Sequence, residues 1–192
     1  MAFSRQLAAI MFADIVGYTA LMESDESLAM SSRERLKNKL EEVVNDHGGR
    51  LLEFHGDGAL CSFTSTLASV KAATALQLEM QRPPLVPLRI GIHTGDVLVD
   101  DNSVYGDGVN IASRMESFAV PGSIFISSKA YDDVKNQKEV SAISMGRYLL
   151  KNVKGQMEIF AISNPGLVIP NAEILEGKAK QFDKKIFLFY HL

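Results

Sequence analysis

The chain has 192 residues, 46% hydrophobic and 22% charged, enough for one sizeable α/β or α+β domain with a buried core. Its 20 Lys and Arg against 23 Asp and Glu leave a net charge of −3, which argues against a nucleic-acid binder because no basic surplus can neutralise a phosphate backbone. Cys61 is the single cysteine and excludes an internal disulfide. No window approaches a membrane span and the first residues lack the apolar run of a signal peptide, so a reducing, cytoplasmic setting is expected.

Gln6 to Ile15 is a mostly apolar run and predicts a central strand buried on both faces. It ends in Asp14-Ile15-Val16-Gly17-Tyr18-Thr19: a carboxylate at the strand end, a glycine turn, then a helix start. That order suits a metal-bound phosphate, although a strand-end Asp also serves as a plain cap or turn residue. A long helix is predicted from Ser24-Asp25 to Gly48-Gly49. Leu36, Leu40, Val43, Val44 and His47 form its apolar face, and Arg33, Glu34, Lys37, Glu41 and Glu42 its solvated side.

Residues 51–60 read as two short strands folded on each other. Leu52 and Phe54 alternate with Glu53 and His55, and the tip is Gly56-Asp57-Gly58. The glycines free the backbone around Asp57, so a metal or a phosphate can come close. Taken alone, the stretch is a hairpin with an acid at its turn. Cys61 falls in the apolar strand that follows, a buried structural position.

Ser65 or Thr66 caps a second helix through Met80, closed by Pro83-Pro84. Leu88 to Val99 predicts a long strand in which Gly91 and Gly95 mark a close approach or a bulge. A turn-rich stretch, Asp100 to Ser103, leads through Gly106-Asp107-Gly108 to a helix over Val109 to Phe118. Asn110 and Arg114 lie four apart on one face of it, an amide and a guanidinium suited to an oxyanion, with Ile111 and Met115 on the core side. A strand (Ile124 to Ile126), a helix (Ser128 to Val134) and closing strands near Val140 to Leu149 and Met157 to Ile162 complete the body. From Asn164 the character changes, ending in a basic stretch and an apolar run, Ile186 to Tyr190, that predicts a docked extra strand or interface element.

Phe12-Ala13-Asp14-Ile15-Val16-Gly17-Tyr18-Thr19, then Gly56-Asp57-Gly58, then Tyr105-Gly106-Asp107-Gly108-Val109-Asn110-Ile111-Ala112-Ser113-Arg114-Met115-Glu116 closely resemble the class III nucleotide cyclases, the adenylyl and guanylyl cyclase catalytic domains. The resemblance covers roughly residues 5 to 163. It implies an α+β fold with a ferredoxin-like βαββαβ core and extra C-terminal strands, with residues 1–163 as catalytic domain and 164–192 as tail, linker or extra strand. It also implies a head-to-tail homodimer, with active sites at the interface, that makes a 3′,5′-cyclic nucleotide and pyrophosphate from a nucleoside triphosphate.

Carried over by position, Asp14 and Asp57 match the metal-binding aspartates, with Ile15 offering a backbone carbonyl to two Mg²⁺ or Mn²⁺ per site. Asn110 and Arg114 match the pair that orients the ribose and steadies charge at the α-phosphate. Lys154 matches the lysine that reaches the triphosphate, and Gly17, Tyr18 and Thr19 border the phosphates. All five side-chain positions are intact, which weighs against a non-catalytic, regulatory copy of the fold.

Two positions depart from the adenylyl pattern, in which a lysine and an aspartate read the base. This chain has Glu53 and Ser103 there. The guanylyl pattern of the family has a glutamate at the first position, accepting from guanine N1–H and the 2-amino group, paired with a cysteine at the second. Ser103 is not that cysteine, but its hydroxyl can donate to guanine O6. Reversed donors and acceptors cost about 1–3 kcal/mol per unpaired buried group, which favours GTP. The alternative is an adenylyl cyclase with atypical base-reading residues. A dinucleotide-forming cyclase is disfavoured by the lack of a Gly-Gly-Asp/Glu-Glu-Phe signature. His55 and His93 have no neighbouring His or Cys partners, and hard cations prefer oxygen, so both are expected to be structural or solvent-facing.

Overall fold

The structure is a computed structural model and describes residues 4–99, 104–153, 155–171 and 173–178. Its elements run β1 (Ser4–Ile15), α1 (Tyr18–Ser24), α2 (Glu26–Asp46), β2 (Arg50–His55), β3 (Gly58–Phe63), α3 (Thr66–Met80), β4 (Leu88–Val99), β5 (Val104–Tyr105), α4 (Asp107–Phe118), β6 (Ile124–Ser127), α5 (Ser128–Val134), β7 (Ala142–Leu149) and β8 (Gln156–Ile162). One sheet has the order β2-β3-β1-β4-β6-β8-β7, with β5 paired to β4. The segment β1 to β4, with strand order β2-β3-β1-β4 and antiparallel neighbours, is the expected ferredoxin-like βαββαβ core. The parallel β4–β6 pair is bridged by α4.

Helices cover both faces of this sheet. Leu36, Leu40, Val43 and Val44 of α2, with Val70 and Leu76 of α3, pack on Met11, Ala13 and Ile15 of β1 and Ile90 and Ile92 of β4. On the other face α4 lies against the strands through Ala112, Met115 and Phe118. Its approach depends on Gly91, where a Cβ would meet the backbone nitrogen of Glu116 at 2.0 Å, so the predicted close approach is there.

β1 is central, but its first four residues are exposed, so the prediction of burial on both faces holds only from Ala8 onward. Asp25, whose side chain accepts from Leu28 N–H at 2.9 Å, divides α1 from α2. Gly48, at φ +66°, and the Gly49 N–H to Val44 carbonyl bond end α2, while His47 is its half-buried cap rather than a member of the apolar face.

The hairpin departs from simple alternation. Its register shifts between Leu51 and Glu53, so Leu51 and Phe54 pack on the α2/α3 side while Leu52 joins the α4 side. Ile111 is half-buried, not a core residue. The two-residue strand β5 was not expected. The predicted turn at Asp100 to Ser103 and the apolar run at Ile186 to Tyr190 lie outside the described residues. Residues 173–178 are helical, and Leu175 is fully buried against the cluster holding Met115 and Phe118. Among the described residues no helix is long and apolar enough to cross a membrane.

Candidate active site

Asp14 is the penultimate residue of β1 and stands opposite Gly58 on β3 and Arg89 on β4. The alternation of β1 turns it to the face that carries α4, away from Ala13 and Ile15. Asp57 occupies the two-residue turn between His55 and Gly58, behind Gly56 at φ +59°, the positive angle that primed hairpin turns require. The Asp57 carbonyl accepts from the Ile15 N–H at 3.3 Å, tying the tip to the end of β1. Asp14 Oδ1 lies 3.4 Å from where a Cβ on Gly58 would sit, so this glycine makes room for the carboxylate.

The two acids are therefore brought together. Burial raises the Asp14 pKa, the nearby Asp57 charge raises it further, and Arg89 opposes both. Arg89 donates to Asp14 Oδ2 at 2.8 Å and its Nε also pairs with Glu116 on α4. Glu116 is buried, and that burial lifts its pKa to about 7 against the pull of Arg89. Lys178 donates to the carbonyls of Ser117, at 3.4 Å, and Ala119, at the end of α4, and burial lowers its pKa to about 8. Arg89, Glu116 and Lys178 were not singled out from the sequence. Only the Asp14–Arg89 register, 75 residues apart in the chain, reveals the first.

A divalent cation fits the acidic pair. Asp57 stands close enough to Asp14 for the two carboxylates to act on each other, Arg89 bonds only Asp14 of the two, and the donors are hard oxygens. Among the described residues no group of three or more His, Cys, Asp or Glu could hold a metal, so backbone and substrate oxygens would complete the shell.

The remaining residues are distributed as follows. Gly17, at φ +78°, is the exposed cap residue of α1, Thr19 is exposed, and the Tyr18 hydroxyl lies 3.8 Å from the Met30 sulfur. Asn110 is exposed and Arg114 half-buried on α4. Neither side chain bonds to Asp14 or Asp57, and Arg114 Nε is buried without a hydrogen-bond partner among the described residues. Glu53 is exposed on β2. Ser103 and Lys154 lie outside the described residues.

His55 is exposed. His93 is buried, with its Nδ1 2.7 Å from the Ser127 hydroxyl, and burial lowers its pKa to about 4. Cys61 is buried and its thiol is pushed up to about 12, an inert structural position.

Residues 3–164 match the family model described as the adenylate and guanylate cyclase catalytic domain. The chain is 37% identical over 170 residues to "Putative adenylate cyclase 3" of Rhizobium meliloti, covering 83% of this chain and 28% of that protein. It is 31% identical over 153 residues to an "Adenylate cyclase" of Mycobacterium tuberculosis, covering 67% and 34%. The chain thus spans about a third or less of these curated relatives. The adenylyl cyclase CyaB from P. aeruginosa has the same fold, with TM-score 0.79 at 24% identity over 88% of this chain and 100% of that one. The guanylyl cyclase Cya2 aligns with TM-score 0.73 at 26% identity, over 88% and 97%.

Proposed function

The chain belongs to the adenylate and guanylate cyclase catalytic-domain family, and from that premise we propose that it works as a homodimeric nucleotide cyclase. It takes a nucleoside triphosphate, joins the ribose 3′-oxygen to the α-phosphorus, breaks the bond to the β-phosphate oxygen, and releases pyrophosphate. The observation that carries this reading is the convergence of Asp57, in the turn between β2 and β3, on Asp14, at the end of β1 and bonded to Arg89.

In this reading Asp14, Asp57 and the Ile15 carbonyl hold two Mg²⁺ or Mn²⁺. Ions so held supply Lewis acidity, easing loss of the 3′-hydroxyl proton and taking up charge on the leaving pyrophosphate. Gly17 to Thr19 border the triphosphate, and Lys154 reaches it. Asn110 orients the ribose, and Arg114 donates to the oxygens of the α-phosphate as charge builds there. Following the head-to-tail dimer that the family resemblance implies, we assign Asn110 and Arg114 to the site formed with a second copy, within a catalytic domain of residues 1–163.

Glu53, an acceptor exposed on β2, supports GTP as substrate, with Ser103 as its companion. ATP is the second reading, favoured by the names of the curated relatives, which are adenylate cyclases. Incubating the purified chain with GTP or ATP and Mn²⁺, and measuring both cyclic products, tests the proposal. Cyclic GMP in excess supports it in full, and cyclic AMP in excess retains the cyclase and replaces the base. Binding of nucleotide without either product would overturn the enzyme and leave a non-catalytic, regulatory copy.

A further inference from the structure

We infer that Arg33 on α2 is a positioning residue that holds the Asp57 turn where two like charges would otherwise push it away. The inference rests on the reading of Asp14 and Asp57 as metal ligands. Arg33 is expected from the sequence to line the solvated face of its helix. Instead its Nε donates to the carbonyl of Gly56, the residue before Asp57, and its guanidinium carbon lies 4.9 Å from the centre of the Phe54 ring. The side chain thus reaches 23 residues along the chain to grip both the tip and the strand that leads into it.

The tip needs such a grip. Gly58 is paired in β3, but Gly56, exposed, at φ +59° and with open space where a Cβ would be, leaves the backbone before Asp57 free of side-chain constraint. Asp57 nevertheless stands close enough to Asp14 for its charge to be felt there. On one side the tip is held by the Ile15 N–H, which donates to the Asp57 carbonyl. Arg33 supplies the other side by fixing the preceding peptide. Because Phe54 packs with the α2/α3 core, the ring is itself anchored and offers the guanidinium a stable platform. Arg33 binds no substrate in this account. It acts through the backbone of Gly56.

Titration of the whole chain with Mn²⁺ alone, followed by the spectroscopic signal of the free ion, tests this without relying on turnover. Wild type should take up Mn²⁺, Asp57→Asn should lose the site, and Arg33→Ala should bind roughly 10-fold more weakly. Arg33→Lys, which keeps a cation that can donate and stack, should recover most of the affinity. Phe54→Leu should fall between. Circular dichroism confirms that each variant is folded, and Arg33→Gln carries the comparison if the alanine variant is not. Equal Mn²⁺ affinity in wild type and the Arg33 variants, with Asp57→Asn still impaired, overturns the role of Arg33 alone. A wild-type chain that takes up no Mn²⁺, and whose binding of a nucleoside triphosphate is not tightened by Mn²⁺, overturns the metal reading beneath it; where only the nucleotide complex takes up Mn²⁺, the same variants are compared in that complex.

Discussion

Asp14 on β1 and Arg89 on β4 face each other across antiparallel strands, with 2.8 Å between the carboxylate and the guanidinium. The same guanidinium pairs with Glu116, so the candidate metal carboxylate is linked through one side chain to the helix that carries Asn110 and Arg114. This link requires α4 to lie tightly on β4, and the contact is made at Gly91. In Gly91→Ala the new methyl would meet backbone atoms of Met115 and Glu116, which cannot swing aside as a side-chain end can. The expected result is a loss of at least about 2 kcal/mol in denaturant unfolding, together with loss of turnover. Unchanged stability would show that α4 has room to move.

His93 gives the fold a pH dependence of known sign. Burial and the nearby Lys129 charge lower its pKa from 6.5 to about 4, so below pH 6.5 the unfolded chain binds a proton that the folded chain resists. Its contribution is fully present above pH 6.5 and is lost as pH falls towards 4, by about 3 kcal/mol at roughly 1.4 kcal/mol per pKa unit. His93→Gln should be less stable than wild type at pH 7, and the gap should narrow steadily to pH 4. Parallel stability curves for the two proteins would contradict this.

Glu53 and Ser103 are the proposed readers of the base. Glu53→Lys with Ser103→Asp should move preference towards ATP by about 100-fold or more if both side chains contact the base, since each reversed pair costs about 1–3 kcal/mol. The ratio of kcat/KM for the two nucleotides measures it. An unchanged ratio would remove both residues from base recognition.

Leu175 lies beyond the segment matched by the family model, yet it is fully buried with Met115, Phe118 and Phe125. Leu175→Ala should cost about 2–5 kcal/mol in chemical unfolding, the usual range for a leucine truncated in a core. A change below about 0.5 kcal/mol, typical of a surface site, would mean that residues 173–178 do not dock as described.

Much of this was legible in the sequence because it is local. The helix of Leu36, Leu40 and Val43, the caps at Asp25 and Ser65, and the glycine punctuation at Gly48 and Gly91 each rest on residues a few positions apart. Asp14 and Asp57 stand out at a strand end and a glycine-flanked turn, but each place alone reads equally as a cap or a plain hairpin acid, and their pairing as metal ligands is what the family resemblance implies. What could not be read depends on register and on long side chains. The shift at Leu52 exchanges faces without any change of hydropathy pattern, and Arg89 looks like any polar residue in a strand until β1 is laid beside it. Arg33 carries the signature of a solvated helix face, and only the position of the hairpin turns it into a tether. The burial of Leu175 likewise depends on a docking site made from α4, β6 and β8.

The central claim is that the aspartate pair of one copy and the Asn110/Arg114 pair of another make one active site. It is tested by mixing two crippled variants, Asp57→Ala and Arg114→Ala, after each is shown to be folded and to have lost at least about 100-fold in turnover. Random exchange of subunits makes half of the dimers mixed, each with one intact site of two, so about a quarter of wild-type activity should return. Continued inactivity of the mixture, in dimers shown by mass spectrometry to have exchanged, would contradict a site shared between copies.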